Sequence, residues 1–397
     1  MEERTLLLGM DLGDEISQLA VYDPELMEPV LMGQSEDNPD ALIETAVEFS
    51  GHEPIKGFLD AVKKGETIDN SGKEVDSVRV LAYYFKKVLA LTRKRYPGEK
   101  IKLLVVTVTD MSKEFTDRIY EALALIGLEG DRVKITDHKR SYMYYVLYQK
   151  KELWAQDVGL FDYNGEKLIF EQLQIDRQHE PALVGVKEVD YTDALKDGGD
   201  ITPVGDIFEN VFASALRNRF ISSVFMTGEG FEEEWADNLF PKLAVGRRLF
   251  KGRNLYVSGA AYTAKEMVQE RFSDYVVVAP DMVTSRISME LYEDGGVKKV
   301  QLTGAGLPWF EVDESLDLMP DGDTELVLVA EHIFEGTKKE FIIDMTPVAG
   351  RTDRMCRIGL RLRFEDVSTA IITLRDKGFG EIAPGSDRVW EERISCL

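Results

Sequence analysis

Cysteine is nearly missing. Two occur in 397 residues, Cys356 and Cys396, which excludes a disulfide framework and a four-cysteine metal site. Histidine is equally scarce, and His52, His138, His179 and His332 show no metal-ligand spacing. Long apolar runs are absent. The run from Leu6 to Met10 is far too short for a signal peptide, and no stretch approaches the ~20 apolar residues of a membrane span. Basic charge is in deficit: 48 Lys and Arg stand against 72 Asp and Glu, a net −24. Such a surface repels nucleic-acid backbones and the anionic face of a membrane, so neither is an expected partner. A reducing, cytoplasmic compartment is the expectation.

What is present is ordinary globular chemistry, with 44% hydrophobic and 30% charged residues. The length suggests two or three domains. TLLLGM at the start reads as a buried strand, Asp11-Leu12-Gly13-Asp14 as a turn, and the stretch from Ser17 to Tyr22 as a returning strand. The polar stretch 34–75, with Gly51 and Pro54, carries no clear period. A helical period runs from Val78 to Arg95, then a buried strand from Ile101 to Thr107. Ser112 is placed to cap a helix that reaches Leu125. Next come a strand over 132–136, a helix over 140–150, and a second hairpin: a strand over 158–161, the turn Asp162-Tyr163-Asn164-Gly165, and a returning strand over 167–174.

The second hairpin repeats the first in form, with an apolar strand, an Asp at its end and a Gly two or three residues on. That predicts an internal duplication, each copy a sheet with helices. Helices are expected over 206–218 and 232–240, and a strand over 223–226. Leu255 to Ser258 reads as a strand that opens a helix over 262–271. From about residue 282 the pattern changes to short alternating strands with turns at Gly295-Gly296, Gly304-Ala305-Gly306, Pro320-Asp321-Gly322 and Gly378-Phe379-Gly380. RIGLRLRF (357–364) is the cleanest alternation, and this part predicts a β-sandwich.

Glycine-rich turns at strand ends can offer backbone N–H groups to phosphate, and a carboxylate there can hold Mg²⁺ through water. Three such turns occur: Asp11-Leu12-Gly13, Asp162-x-x-Gly165 and Gly228-x-Gly230. Singly they are common in hairpins; their order between alternating strands and helices is more specific.

In that order the chain resembles the Hsp70/actin-like ATPase superfamily, and Hsp70 most closely. GMDLGDEISQLAVYD (9–23) resembles its first phosphate loop and VGLFDYNGEKLIF (158–170) its second. SSVFMTGEGF (222–231) resembles the adenosine loop. ITDHKRSYMYYVLY (135–148) and NLYVSGAAYTAKE (254–266) resemble the two connecting helices. VVVAPD (276–281) sits where Hsp70 has its interdomain linker, and 342–382 resembles the end of its β-sandwich. The resemblance implies an actin-like α/β domain over 1–275, a linker over 276–281 and a β-sandwich over 282–397. It implies ATP and Mg²⁺ as cofactors, with Asp11 and Asp162 organising the metal through water. Gly13, Gly165, Gly228, Gly230 and Gly259 would be the cofactor-approach glycines, and Asp137 the catalytic acid.

The departures bear on catalysis. Asp14-Glu15 replace hydroxyl residues in the first loop, and each carboxylate repels a polyanion by roughly 1–4 kcal/mol at ~4 Å. Asp137 is one carbon shorter than the family's Glu, and His138 replaces the proline after it. Asn164, Glu166 and Lys167 stand where Gly, Gly and Thr are expected. Only about 50 residues separate the second hairpin from Ser223, too few for the lobe that clamps adenine. The lobe over 24–100 is also shortened, and the stretch after 382 is too short for a helical lid.

The resemblance therefore implies a degenerate Hsp70-like protein that binds a protein or unfolded peptide client, with nucleotide binding weak or lost and hydrolysis absent. The alternatives are an ATP-dependent Hsp70-like chaperone and an actin-like structural scaffold. Several residues also carry plainer readings. Asp137 suits a helix start through the helix dipole, and His138 and Lys167 read as solvent-facing. Asp14 and Glu15 read as a solvated turn, and Glu232-Glu233-Glu234 as an acidic first helical turn. Trp309 reads equally as a core aromatic or a binding anchor, and Cys356 as a core thiol.

Overall fold

A computed structural model describes residues 5–48, 53–70, 72–178, 180–197, 203–293, 295–320, 325–346, 356–386 and 388–396. Gly51, His52, His179, Asp321 and Gly322 of the sequence reading lie outside these, as does 347–355 of the stretch compared with the sandwich ending. The described chain is mixed α/β and divides into two units. One comprises Met1–Ile175 with Val186–Ser273, the other Asp176–Gly185 with Asp274–Leu397. Among the described residues, no helix is long and apolar enough to cross a membrane.

The first unit is built on two sheets. In the first sheet, β1 (Thr5–Asp11) and β2 (Ile16–Asp23) form the expected hairpin, and β3 (Glu28–Leu31) pairs antiparallel with β2. β4 (Lys100–Val108) runs parallel to β1, and β5 (Val133–Asp137) parallel to β4. The order is β5-β4-β1-β2-β3. The second sheet uses β6 (Asp157–Tyr163), β7 (Leu168–Asp176), β8 (Ala182–Asp190), β9 (Ile221–Thr227) and β10 (Leu249–Lys251). Its order is β10-β9-β6-β7-β8. β6 and β7 are antiparallel, β9 is parallel to β6, and β10 is parallel to β9. The second sheet carries one further strand beyond β8, and the first five strands have the same order in both, which is the duplication that the repeated hairpin predicts.

Parallel neighbours need crossover helices. Between parallel neighbours these are α1 (Ser77–Leu89) and α2 (Lys113–Ala124) in the first copy and α4 (Val204–Ala215) and α5 (Glu234–Leu243) in the second; α3 (His138–Leu147) follows β5 and α6 (Leu255–Gln269) follows β10. Leu6, Leu8 and Met10 of β1 pack with Val80, Tyr84 and Phe85 of α1 and Ile119 of α2. On the opposite face of this sheet Ala20 and Leu31 take Val257 and Ala261 of α6. The second sheet buries a cluster of phenylalanines, with Phe161 and Phe212 stacked at 5.3 Å between ring centres.

Two glycines set how closely α6 approaches. A Cβ at Gly9 would overlap the α6 backbone at Val257 and Ala261, and one at Gly259 would overlap the Ser141 backbone in α3. The strand expected over Leu255 to Ser258 is instead the first turn of α6. Its residues are buried on every side, and periodicity does not separate a fully buried helix from a buried strand. Ser112 precedes α2 without capping it through its side chain; its own N–H donates to Asp110 Oδ1 at 2.8 Å. The stretch 34–75 holds a short helix (Phe58–Lys64) and two two-stranded ribbons.

The second unit contains two four-stranded sheets. β11 (Ser285–Glu293), β12 (Gly296–Thr303), β14 (Glu325–His332) and β15 (Lys338–Asp344) form one, in the order β12-β11-β14-β15. β13 (Asp313–Leu318), β16 (Ile358–Phe364), β17 (Thr369–Asp376) and β18 (Val389–Ser395) form the other, in the order β13-β16-β17-β18. Ile287, Leu328, Leu360 and Ile372 share one core, so the sheets pack face to face. Trp309 packs against this core and Cys356 is inside it, as the core readings of both expected. Val276 and Val277, read as the start of a linker, form a short strand (Tyr275–Val277) parallel to the first residues of β8.

Gly259→Ala should lower stability by roughly 1–3 kcal/mol, because the added methyl must push α3 off α6. The denaturant midpoint measures this, and an unchanged midpoint would mean the crossing is looser than described.

Candidate functional site

In the first unit a cleft of about 560 Å³ opens at the ends of β1 and β6. Its position follows from the topology: in an open α/β sheet the carboxyl ends of parallel strands, where the chain order reverses, leave a crevice. Asp11 ends β1 and Asp162 lies near the end of β6, so the duplication brings these two carboxylates to one place. Asp137 and Gly228 also line the cleft. The other glycines serve the chain itself. A Cβ at Gly13 would overlap the Ile16 carbonyl oxygen, and one at Gly230 the Tyr163 ring. Gly165 turns the second hairpin with φ near 97°. Gly259 is the helix crossing described above.

Both carboxylates are bonded to neighbouring side chains. His138 Nε2 sits 2.9 Å from Asp11 Oδ1. Tyr256 Oη donates to Asp162 Oδ2 at 2.7 Å. The imidazole and the phenol stack on each other, with centroids 3.8 Å apart and planes 15° apart. His138 is the first residue of α3 and Tyr256 the second of α6. Each copy of the duplicated fold thus answers its own strand-end aspartate from the start of its own last helix. The two answers meet ring to ring.

The sequence reading placed His138 at the surface. It is instead largely enclosed, with the side chain 20% exposed and Asp11 at 17%. Asp137 caps α3, its Oδ1 accepting from Arg140 N at 2.7 Å. Lys167 is exposed at the cleft rim. Asp14 pairs with Lys63 at 2.6 Å on the outside of the first hairpin.

Tyr256, Glu171, Lys139 and Glu188 are site residues that sequence reasoning passed over. Lys139 and Glu188 pair at 3.0 Å along one wall. Glu171 lies in β7, 5% exposed, with its Oε2 buried and unbonded. A charged residue inside LIFEQL was the available signal, since an isolated buried carboxylate is costly and is kept only for a reason.

Glu171, Asp162 and His138 are shifted in one direction, upward. Burial, with Asp162 nearby, raises Glu171 to about 8. Burial also raises Asp162, against the lowering effect of Tyr256 and His138. For His138 burial acts downward, but the charge and hydrogen bond of Asp11 outweigh it, and the net shift is upward. The Tyr256 hydroxyl is pushed well up by burial and by Asp162, so it remains a donor.

Mg²⁺ asks for near-octahedral oxygen ligands. Asp11 and Asp162 each give one oxygen to a neighbouring side chain, and the imidazole and phenol that take them are stacked. Among the described residues, no three His, Cys, Asp or Glu are grouped to hold a metal.

Residues 43–280 match the C-terminal part of a family of unknown function, DUF5716. That is more than half of the chain, which therefore belongs to this family. Residues 282–396 match a domain of unknown function, DUF8552. No curated protein matches the chain.

The raised groups give a signed pH dependence. Glu171 in the fold keeps its proton to about pH 8, whereas an unfolded Glu loses it near ~4.3. The stabilisation is therefore full below the unfolded value and lost as pH rises to the folded one. Raised Asp162 and His138 act with the same sign. The midpoint of thermal unfolding should fall between about pH 5 and about pH 8, and Glu171→Gln should flatten that fall, since the amide has no proton to lose. Identical slopes in both proteins would remove Glu171 from the account.

Proposed function

We propose that this protein is a degenerate relative of Hsp70: an actin-like two-lobed unit and a β-sandwich that act by binding protein or peptide, without ATP hydrolysis. Support for the fold comes from the two sheets, whose first five strands share one order, and from the close crossing of α3 and α6 at Gly259. Support for a non-catalytic cleft comes from one observation above the others. His138 is bonded to Asp11 and Tyr256 to Asp162, and the two rings stack on each other. To admit a magnesium–phosphate at these oxygens, the protein would have to break two hydrogen bonds to carboxylates. Hydrogen bonds to charged groups are worth about 1.5–3 kcal/mol each.

Support for a binding role comes from the sandwich. Tyr292 and Val297 are cross-strand partners, 77% and 67% exposed, and Val327 and Ile342 are another such pair. Apolar pairs left on an outer sheet face suit contact with an apolar segment.

The test is thermal unfolding with and without millimolar ATP and Mg²⁺. A ligand at 100 times its dissociation constant stabilises by about 2.7 kcal/mol, which is easily read. No shift is expected, in the wild type or in Asp11→Ala. A shift in the wild type that Asp11→Ala abolishes would overturn the reading and make the cleft a nucleotide site.

A further inference from the structure

Charge is unevenly distributed along this acidic chain. Between residues 77 and 104 stand eight Lys and Arg (Arg79, Lys86, Lys87, Arg93, Lys94, Arg95, Lys100 and Lys102) and one acid, Glu99. The segment comprises α1, the short turn after it and the start of β4. A local charge of +7 inside a chain of −24 is a strong reversal of field.

The fold adds an apolar floor. α1 packs beside α2, and the furrow between them is lined by Ala82, Tyr83, Leu125 and Ile126, with Arg79 and Lys86 at its edge. It continues into a second hollow that shares Lys86, Leu125 and Ile126 and ends at Arg93. The two hollows measure about 290 and 530 Å³. Tyr83 is 55% exposed and Leu125 56%, so the floor lies open. Arg79, Lys86 and Arg93 are exposed and form no ion pair with a described residue. Arg132 donates to the carbonyls of Gly127 and Ile101 and braces the far wall.

We infer that the α1–α2 furrow is a docking site for an acidic amphipathic helix of a partner protein. An apolar strip on that helix would cover Tyr83, Leu125 and Ile126, and its carboxylates would meet Arg79, Lys86 and Arg93. The shape favours a helix, because a groove between two packed helices accepts a third along its ridges. The charge favours an acidic one and disfavours a second copy of this chain approaching broadly, since the rest of its surface is negative. The apolar floor favours a protein over a nucleic acid, which would leave Leu125 and Ile126 uncovered. The furrow belongs to the first unit and is lined by none of the cleft residues, so it stands or falls separately from the reading of the cleft.

The experiment uses the full chain against a displayed library of 16-residue helical peptides. Glu is fixed on one face of the peptides, and the apolar positions vary on the other. Peptides are selected on the wild type and counter-selected on a Lys86→Glu, Arg93→Glu variant; both residues are exposed, and circular dichroism checks that the fold is kept. Selected peptides should bind the wild type at least tenfold more tightly than the charge-reversed variant or than Leu125→Ser. Raising salt from 50 to 500 mM should weaken binding several-fold. Three results would overturn the inference: no peptide distinguishes the variants; binding is indifferent to Leu125→Ser; or a single-stranded RNA oligonucleotide displaces the selected peptides at equal concentration.

Discussion

Two carboxylates meet at the centre of the first unit because a duplicated fold brings its two equivalent strand ends together. Asp11 and Asp162 are partly withdrawn from water, and like charges held close in a poorly hydrated space must be answered. The protein answers them with its own side chains. His138 bridges to Asp11, Tyr256 to Asp162, and the rings stack. The close approach of α3 and α6 depends on Gly259, and that approach lets residues at the two helix starts touch. Gly9 and Ala20 of the first sheet admit α6 near enough for Tyr256 to reach its aspartate. Much of the packing in this unit can be traced to bonding two stacked rings to two acids.

The stack also fixes protonation. Asp11 favours the charged imidazole and raises its pKa, the phenol stays a donor to Asp162, and Glu171, raised to about 8, is easier to keep neutral than to ionise. The cleft lining holds five carboxylates, Asp11, Asp137, Asp162, Glu171 and Glu188, beside the cations Lys139, Lys167 and Arg253. That differs from a site built to neutralise a triphosphate, which presents free donors and cations. Lys167 and Arg253 are cations on the lining. Arg253 lies 4.0 Å from Glu229, so its charge is already partly matched.

Much of the fold was legible in the sequence, and the reasons are local. TLLLGMD is a continuous apolar run ended by Asp, and β1 follows from it. The same form at 158–165 gives β6 and exposes the duplication. RIGLRLRF alternates because one face of β16 is solvated. α6 was misread at its start, since LYVS is apolar all round and carries no period. The site was less legible than the fold. Asp11 and Asp162 stood out as strand-end acids, but their partners lie 127 and 94 residues away. Nothing in the spacing of His138 or Tyr256 announces a pairing that exists only once two helices cross. Glu171 was visible as a charge in an apolar strand, and its meaning came only with its surroundings.

A cleft whose two aspartates are bonded to the protein's own side chains changes what can regulate it. A ligand shifts a conformational equilibrium only by its differential affinity for the two states. On the proposed reading, His138 and Tyr256 take the ligand's place and nucleotide is lost as a control. Two controls remain in the first unit. One is the proton, because Glu171, Asp162 and His138 all bind it more tightly in the folded state. The other is a partner seated on the α1–α2 furrow. α1 and α2 supply Val80, Tyr84, Phe85 and Ile119 to the core under β1, and Tyr84 lies within hydrogen-bonding reach of Thr45, which donates to the Gly13 carbonyl beside Asp11. A contact on the outer face of α1 is thus joined through one aromatic side chain to the hairpin that carries the first aspartate. In such an arrangement the lobed unit would respond to proteins and to pH, and the hydrolytic cycle of its look-alikes would have no role.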